Sequence, residues 1–294
     1  MRTPVSQTIR VADVVTHRRS EETLDAIGEL VRQARDAGVT LRVGPEEALK
    51  HPGLVAEEGV EVADHPVAPH ADICITLGGD GTVLSALRDY AGTRVPVFGI
   101  NFGVMGFLTT VDREQMSDGF RRALAGDFEV LSLPAIQAIG DRGRWLAFND
   151  VSMHRQHRMR VADLQYCVGP QDVGRVRCDG LVVATPAGST GYNLANGGPV
   201  MAWGVAGYVV SFIAPHSFTA RTLVVAPGDE VSVDNRSQEE AVDVTIDGRP
   251  VCTLGAGERL KTRFVADQGA LAQIPGTTFY GRLREKFGRL ATLV

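Results

Sequence analysis

Five consecutive residues, Gly78-Gly79-Asp80-Gly81-Thr82, combine the backbone and the side chain that phosphate chemistry needs. They lie between an apolar run that predicts a strand, ICITL at 73–77, and a segment that predicts a helix from about Thr82 to Tyr90. Glycines at such a turn let backbone N–H groups and the positive end of the helix approach a phosphate closely. Asp80 is unexpected there, because its carboxylate repels a phosphate at short range.

Two roles for Asp80 would offset that repulsion. The carboxylate could take the proton of a hydroxyl that attacks a phosphoryl group, or it could help a divalent cation to bridge phosphates. The alternative is an ordinary strand-to-helix turn in which Asp80 caps the helix. The dinucleotide fingerprint G-x-G-x-x-G is excluded because residue 84 is Leu, and the lysine-bearing phosphate loop is excluded because no lysine follows a glycine.

A second glycine-rich segment, Asn101-Phe-Gly-Val-Met-Gly-Phe-Leu108, follows the apolar run at 95–101. Its glycines would let the chain turn beneath a flat ligand, and Phe102 or Phe107 would offer a base a face for stacking. The alternative is that these rings fill a core.

The pair Asn149-Asp150 follows another apolar run, WLAF at 145–148, and we expect both residues at the end of a strand. An asparagine amide can pair with an adenine edge, and a carboxylate can accept from the hydroxyls of a ribose. The pair therefore suits an adenosine-like ligand, although Asn-Asp is also a common turn.

The longest unusual segment is 177–199, RCDGLVVATPAGSTGYNLANGGP, a predicted strand that leads into a loop dense in hydroxyl and N–H groups. Such a loop can hold a sugar or a base. The serine-hydrolase elbow G-x-S-x-G is excluded because residue 187 is Ala. His154 and His157 lie among arginines, which favours a solvated face over a metal site.

The elements around these segments follow from hydrophobic periodicity. Short apolar runs at 11–15, 39–43, 73–77 and 95–101 alternate with helical segments, the first being Ser20–Ala37 with Leu24, Ile27, Leu30, Val31 and Ala34 on one face, and the last Arg113–Ala125. This alternation predicts a parallel sheet with crossover helices.

Beyond Gly126 the chain predicts antiparallel strands bounded by turns, including a tight hairpin at Asp247-Gly248. Aromatic and leucine residues at four-residue spacing predict a final helix over Thr277–Leu290 that packs on the first domain. We therefore expect an α/β domain over 1–126 that carries the glycine-rich turn, a β-rich domain over 127–268 that carries Asn149-Asp150 and the 177–199 segment, and a returning helix in 269–294.

Composition bears on partners and location. The 294 residues include 35 acidic and 30 basic side chains, and a net charge of −5 argues against nucleic acid. Four cysteines, at 74, 167, 178 and 252, form no C-x-x-C pair, which favours a reducing compartment. No signal peptide or membrane-spanning run is present, so we expect a cytoplasmic protein without a membrane partner.

Taken together, the motifs resemble the bacterial NAD kinase family, in order and approximate spacing, from residue 73 to about 288. The matching segments are GGDGT, NFGVMGFLT, Asn149-Asp150, DGLVVATPAGSTGYNLANGGPV, APHSFTARTLVV and IDGRP. The resemblance implies a two-domain fold, an N-terminal α/β domain plus a C-terminal β-sandwich domain. It also implies phosphoryl transfer from ATP or polyphosphate to the 2′-hydroxyl of the adenosine ribose of NAD, which gives NADP.

By the same resemblance Asp80 is the general base, and NAD lies in the crevice between the domains with its adenine near Asn149 and Thr190. The residues expected to contact nucleotide are Gly79, Gly81, Thr82, Phe107, Asn149, Asp150, Arg160, Arg177, Asp179, Ser189, Thr190, Gly191, Tyr192, Asn193, Ala195 and Arg249. Mg²⁺ or another divalent cation would be held mainly by donor phosphates, so no residue is assigned as a metal ligand. A homodimer or homotetramer is expected.

This sequence departs from the family at three positions. Asp150 stands where the family has Glu, and Ala187 and Gly191 replace its usual Thr and Ala. Two other functions remain open: a kinase with a related glycine-rich turn that phosphorylates a lipid or a sugar, or a sensor that binds NAD(P) without turnover.

Overall fold

The computed structural model describes residues 2–4, 8–64, 70–103, 106–157 and 159–288. Its α-helices are α1 (Leu24–Ala37), α2 (Pro45–Lys50), α3 (Asp80–Asp89), α4 (Met116–Ala125), α5 (Tyr192–Ala195) and α6 (Phe279–Phe287), and 3₁₀ turns cover Ser20–Thr23, Leu54–Ala56, Arg113–Gln115 and Ala187–Thr190. Its strands are β1 (Arg2–Pro4), β2 (Val11–Thr16), β3 (Thr40–Val43), β4 (Val60–Val62), β5 (Ile73–Leu77), β6 (Pro96–Asn101), β7 (Val111–Asp112), β8 (Glu129–Gly140), β9 (Gly143–Ala147), β10 (Asp150–Arg155), β11 (Ala162–Val168), β12 (Gln171–Cys178), β13 (Gly180–Ala184), β14 (Tyr208–Ile213), β15 (Leu223–Val225), β16 (Glu230–Asn235), β17 (Val242–Ile246), β18 (Arg249–Leu254) and β19 (Arg259–Gln273). These elements form two compact units, Met1–Ser132 with Gln268–Val294, and Leu133–Asp267.

The first unit is built on a parallel sheet in the order β6-β5-β2-β3-β4. The apolar stripes of α1 and α4 pack in one core with alternate residues of β2, Ala12 and Val14. Asp13 points to the opposite face, where it accepts from Tyr90 at the end of α3 and pairs with Arg42. Helices therefore cover both faces, which confirms the predicted α/β class.

Element boundaries differ from the predictions by a few residues. Helix α1 begins at Leu24 after a 3₁₀ turn, and the Leu24 side chain is 56 % exposed because the packed stripe begins with the next residues, Ala26 and Ile27. Helix α3 begins at Asp80, two residues earlier than predicted, because the extended residue Gly79 serves as its N-cap. The predicted helix over 277–290 is confirmed for Phe279–Phe287; residues 289 and 290, like Val104 and Met105 of the second glycine-rich segment, lie outside the described residues.

The second unit consists of antiparallel strands in two sheets. One sheet has the order β12-β11-β16-β19, and the other β15-β14-β13-β10-β17-β18. Side chains of both sheets, such as Leu164 and Val233 from the first and Val151 and Tyr208 from the second, share one core. This arrangement confirms the predicted β-sandwich.

The turn between β17 and β18 is the predicted tight hairpin. Asp247 and Gly248 both have positive φ, 47° and 75°. Two central residues with φ above zero are typical of the type I′ turns that fit the twist of paired strands.

Candidate functional site

The glycine-rich turn lies between the end of β5 and the start of α3, at the carboxyl edge of the parallel sheet. A side chain at Gly78 would overlap Thr82 Oγ1, so packing requires that glycine. A side chain at Gly79 or Gly81 would meet no atom of the described residues within 4 Å. These two glycines therefore leave open space at the first turn of α3. The Thr82 N–H there donates to the Gly79 carbonyl at 2.9 Å, so the N–H groups of Asp80 and Gly81, which have no intrahelical acceptor, are the ones that can bind an anion.

The carboxylate of Asp80 is held by three consecutive backbone N–H groups. Its Oδ2 accepts from Phe107 at 2.8 Å, and its Oδ1 accepts from Leu108 at 3.0 Å and from Thr109 at 3.2 Å. A side chain at Gly106 would overlap this carboxylate. Asp80 is thus oriented by the second glycine-rich segment instead of capping α3. Because a carboxylate has about four lone-pair positions, Oδ2 retains capacity to accept a proton.

The Phe107 ring, predicted as a stacking face for a base, is 4 % exposed. Its centroid lies 6.1 Å from that of Phe279 and 5.8 Å from that of Phe287, both in α6. The structure therefore places the ring in the core of the first unit and turns the Phe107 N–H toward Asp80. Phe102 is partly buried, with the Arg113 guanidinium 5.2 Å from its ring centroid.

In the second unit, Asn149 lies in the short bend between β9 and β10, and Asp150 is the first residue of β10. We expected both at the end of a strand; they lie instead where the next strand begins. The Asp247 carboxylate holds this bend. Its Oδ1 accepts from the N–H of Asn149 at 2.7 Å and of Asp150 at 3.2 Å, and its Oδ2 accepts from the N–H of Phe148 at 3.2 Å. The Asn149 Oδ1 is buried without a hydrogen-bond partner among the described residues, so it is available for a ligand group.

Asp150 is 7 % exposed, and its side chain lies near the Asp247 carboxylate. Burial raises its pKa to about 7, and the negative charge of Asp247 adds to that effect. A carboxyl group with this pKa is partly protonated at neutral pH, so it can donate as well as accept a hydrogen bond.

Two predicted nucleotide contacts, Ser189 and Asn193, point into the second unit and hold the loop after β13. Ser189 Oγ accepts from the Met201 N–H at 2.6 Å. Asn193 Nδ2 donates to the carbonyls of Ser189 at 3.0 Å and Pro199 at 3.1 Å. Both side chains are fully buried, so they shape the loop.

The other predicted residues of that loop reach the surface. Gly191 and Ala195 are exposed, and Thr190 and Tyr192 are partly exposed. The Tyr192 ring stacks on His154 at 5.5 Å and an interplanar angle of 12°. His154, which we expected on a solvated face, is thus partly buried, and this burial lowers its pKa.

Asp179 forms a bidentate ion pair with Arg155. Arg155 Nε donates to Oδ1 at 2.6 Å and Nη2 to Oδ2 at 2.9 Å, and these bonds hold the pKa of Asp179 below its usual value. Arg160 Nη1 donates to the Glu239 carbonyl at 3.0 Å. Arg177 and Arg249 are exposed.

Sequence reasoning missed the roles of Asp247 and Arg155. Asp247 was interpreted as a hairpin residue and Arg155 as one of the arginines around His154 and His157, with phosphate or water as its partner; no local signal indicated the bend or Asp179. In the part of the chain described, no group of three or more histidine, cysteine or acidic side chains is placed to hold a metal ion. The helices of that same part include none with the length and hydropathy to cross a membrane.

Comparison with known proteins matches this chain to NAD kinases by family model and by sequence. The model of the ATP-NAD kinase N-terminal domain matches residues 14–128, and that of the ATP-NAD kinase C-terminal domain matches residues 148–267. An NAD kinase of Gemmatimonas aurantiaca is 39 % identical over 243 residues, covering 80 % of this chain and 82 % of that protein.

Solved structures of low sequence identity share the fold. A yeast NADH kinase complexed with NADH aligns with a TM-score of 0.84 at 20 % identity, covering 98 % of this chain and 90 % of that one. An NAD kinase from Archaeoglobus fulgidus in complex with ATP aligns with a TM-score of 0.72 at 23 % identity, covering 93 % of this chain and 98 % of that one.

Proposed function

The chain belongs to the NAD kinase family, and we propose that it transfers a phosphoryl group from ATP to the 2′-hydroxyl of the adenosine ribose of NAD with Asp80 as the general base. One observation carries the role of Asp80. Its carboxylate is fixed by three N–H groups beside a turn whose two glycines leave room for phosphates. A fixed base next to a phosphate cradle brings the hydroxyl and the phosphoryl group together in one orientation.

Each part of the turn then has one task. The N–H groups of Asp80 and Gly81 at the start of α3 bind donor phosphates, which the open space at Gly79 and Gly81 admits. Asp80 Oδ2 takes the proton of the attacking hydroxyl, which contributes about 10²–10⁴-fold to the rate. Mg²⁺ or another divalent cation would be held mainly by those phosphates, whose charge it would neutralise.

For the acceptor, the Asn149–Asp150 bend offers one free amide oxygen and a carboxyl group. These groups suit the adenosine moiety of NAD, with Thr190, Tyr192 and Asp179 as further contacts. The NADH and ATP in the structures of the yeast and archaeal relatives support nucleotides as acceptor and donor. We further propose a cytoplasmic homodimer or homotetramer, and polyphosphate as an alternative donor.

A parallel assay tests this function. The purified protein is incubated with Mg²⁺, with ATP or polyphosphate as the phosphoryl donor, and with NAD, a diacylglycerol or a sugar phosphate as the acceptor. An NADP-specific dehydrogenase reports NADP. We expect NADP from NAD with at least one donor, and no phosphorylation of the other acceptors. Asp80→Asn should bind NAD as the wild type does and lose about 10²-fold or more in kcat. Phosphorylation of the lipid or the sugar alone would refute NAD as the acceptor. Near-normal kcat for Asp80→Asn would refute Asp80 as the general base.

A further inference from the structure

The segment Phe107–Thr110 contacts Asp80 on one side and helix α6 on the other. At its carboxyl end, Thr110 N–H donates to the Gly99 carbonyl of β6 at 2.7 Å, and Thr110 Oγ1 donates to the Ala272 carbonyl at 2.9 Å. Arg282 of α6, only 9 % exposed, donates through Nη2 to the Thr110 carbonyl at 2.9 Å. This end of the segment is therefore held by the sheet and by the helix.

At the amino end, the ring of Phe107 is enclosed by side chains of α6. Phe279 and Phe287 lie against it, and Lys286 Nζ lies 4.9 Å from its centroid. The ring and the N–H that binds Asp80 Oδ2 belong to one residue. If the Phe107 ring is displaced, the Phe107 N–H that donates to the Asp80 carboxylate is displaced with it.

Helix α6 is itself firmly built. Thr278 Oγ1 accepts from the Gly281 N–H at 3.0 Å and caps the helix, and Phe279 and Leu283 are both 6 % exposed. Phe287 lies in the last turn and is 40 % exposed. Truncation of its side chain removes one of the rings that cover Phe107 and leaves the buried Phe279 and Leu283 in place.

From these contacts we infer that α6 is a positioning element for the reaction: Phe287 and Arg282 hold Phe107–Thr110, and that segment holds the Asp80 carboxylate in its working orientation. The inference rests on the proposed function in the role of Asp80. A structural role alone would change stability without changing kcat. A positioning role changes kcat more than KM, because substrate contacts stay intact while the base is misaligned.

Truncation of Phe287 tests the inference. In the full chain, Phe287→Ala should lower kcat about ten-fold with KM for NAD within about two-fold. Amide exchange of Phe107, Leu108 and Thr109 should quicken at least about ten-fold. Phe287→Leu refills the contact with Phe107 and should restore most of the wild-type kcat and most of the slow amide exchange. The matched control Glu285→Ala changes an exposed residue of the same helix and should leave kcat and the amide exchange unchanged.

Arg282 provides a second variant. Arg282→Lys keeps the charge but loses the planar guanidinium, so it should quicken the same exchange and lower kcat in the same sense. Unchanged kcat in Phe287→Ala, with or without faster exchange, would overturn the inference, and so would an equal loss in Glu285→Ala. A wild-type chain that forms no NADP would instead refute the proposed function, and the exchange rates alone would then decide whether α6 holds the segment.

Discussion

The Asp247 carboxylate accepts the backbone N–H of Asn149 at 2.7 Å, across 98 residues of sequence. The same carboxylate also binds the N–H groups of Phe148 and Asp150. In the first unit, Asp80 binds three consecutive N–H groups in the same way. Charged acceptors make stronger hydrogen bonds than neutral ones, so each carboxylate fixes a short segment of backbone in one conformation.

Replacing Asp247 should loosen the bend that presents Asn149. Asparagine tolerates the positive φ of this position, but its NH₂ group cannot accept an N–H bond. We expect Asp247→Asn to lower the free energy of unfolding by about 1–3 kcal/mol and to raise KM for NAD more than it lowers kcat. Chemical denaturation and steady-state kinetics measure the two effects.

Asp243, in the strand β17 that leads to Asp247, provides the control. Asp243 accepts from Gln156 and Thr253 at 2.7 and 3.0 Å, away from the bend. Asp243→Asn should leave KM for NAD unchanged. Equal KM increases in the two variants would show that Asp247 has no special role.

The buried carboxyl group of Asp150 makes the stability of the protein depend on pH. Its folded-state pKa, about 7, lies above the ordinary value, so the folded state holds a proton that the unfolded state releases. Stability therefore falls as the pH rises from about 4 toward 7, and the loss is complete above the folded-state pKa.

Asp150→Asn removes this dependence because the amide stays neutral. We expect the variant to have a higher Tm than the wild type at pH 8 and a nearly equal Tm at pH 4. Thermal unfolding followed by circular dichroism at one-unit pH intervals gives the two curves. A Tm difference that is constant over this range would contradict the assignment to Asp150.

The contrast between predicted and missed features follows from the range of the interactions. The strand at 73–77 and the parallel sheet were predictable because the periodicity of apolar residues is local. The partners of Asp80 lie 27 to 29 residues away, and those of Asp247 lie 97 to 99 residues away. Local patterns carry no information about such pairings. For Phe107, core packing and base stacking require the same residue type, so only the position of α6 distinguishes them.

Gly106 should be indispensable to the orientation of Asp80. A methyl group at this position would overlap the Asp80 carboxylate and push it from its three N–H donors. Gly106→Ala should therefore lower kcat about 10²-fold while the Kd for NAD stays close to that of the wild type. The control is Gly103→Ala in the same segment, where a side chain would lie 4.0 Å from Asn101 Oδ1, an ordinary contact. Comparable losses of kcat in both variants would argue against the orienting role.

Gly81 should matter for the donor and not for folding. A methyl group there meets no atom within 4 Å in the part of the chain that the structure describes, and alanine is the better helix former, so the free energy of unfolding should be unchanged or higher in Gly81→Ala. The same methyl group fills space that we assign to donor phosphates, so KM for ATP should rise at least about ten-fold, equivalent to about 1.4 kcal/mol. Gly28→Ala in α1, where the nearest atom outside the helix backbone is 3.8 Å away, makes the same change in another helix and should leave KM for ATP unaltered. If Gly81→Ala also keeps the wild-type KM for ATP, the phosphates bind elsewhere.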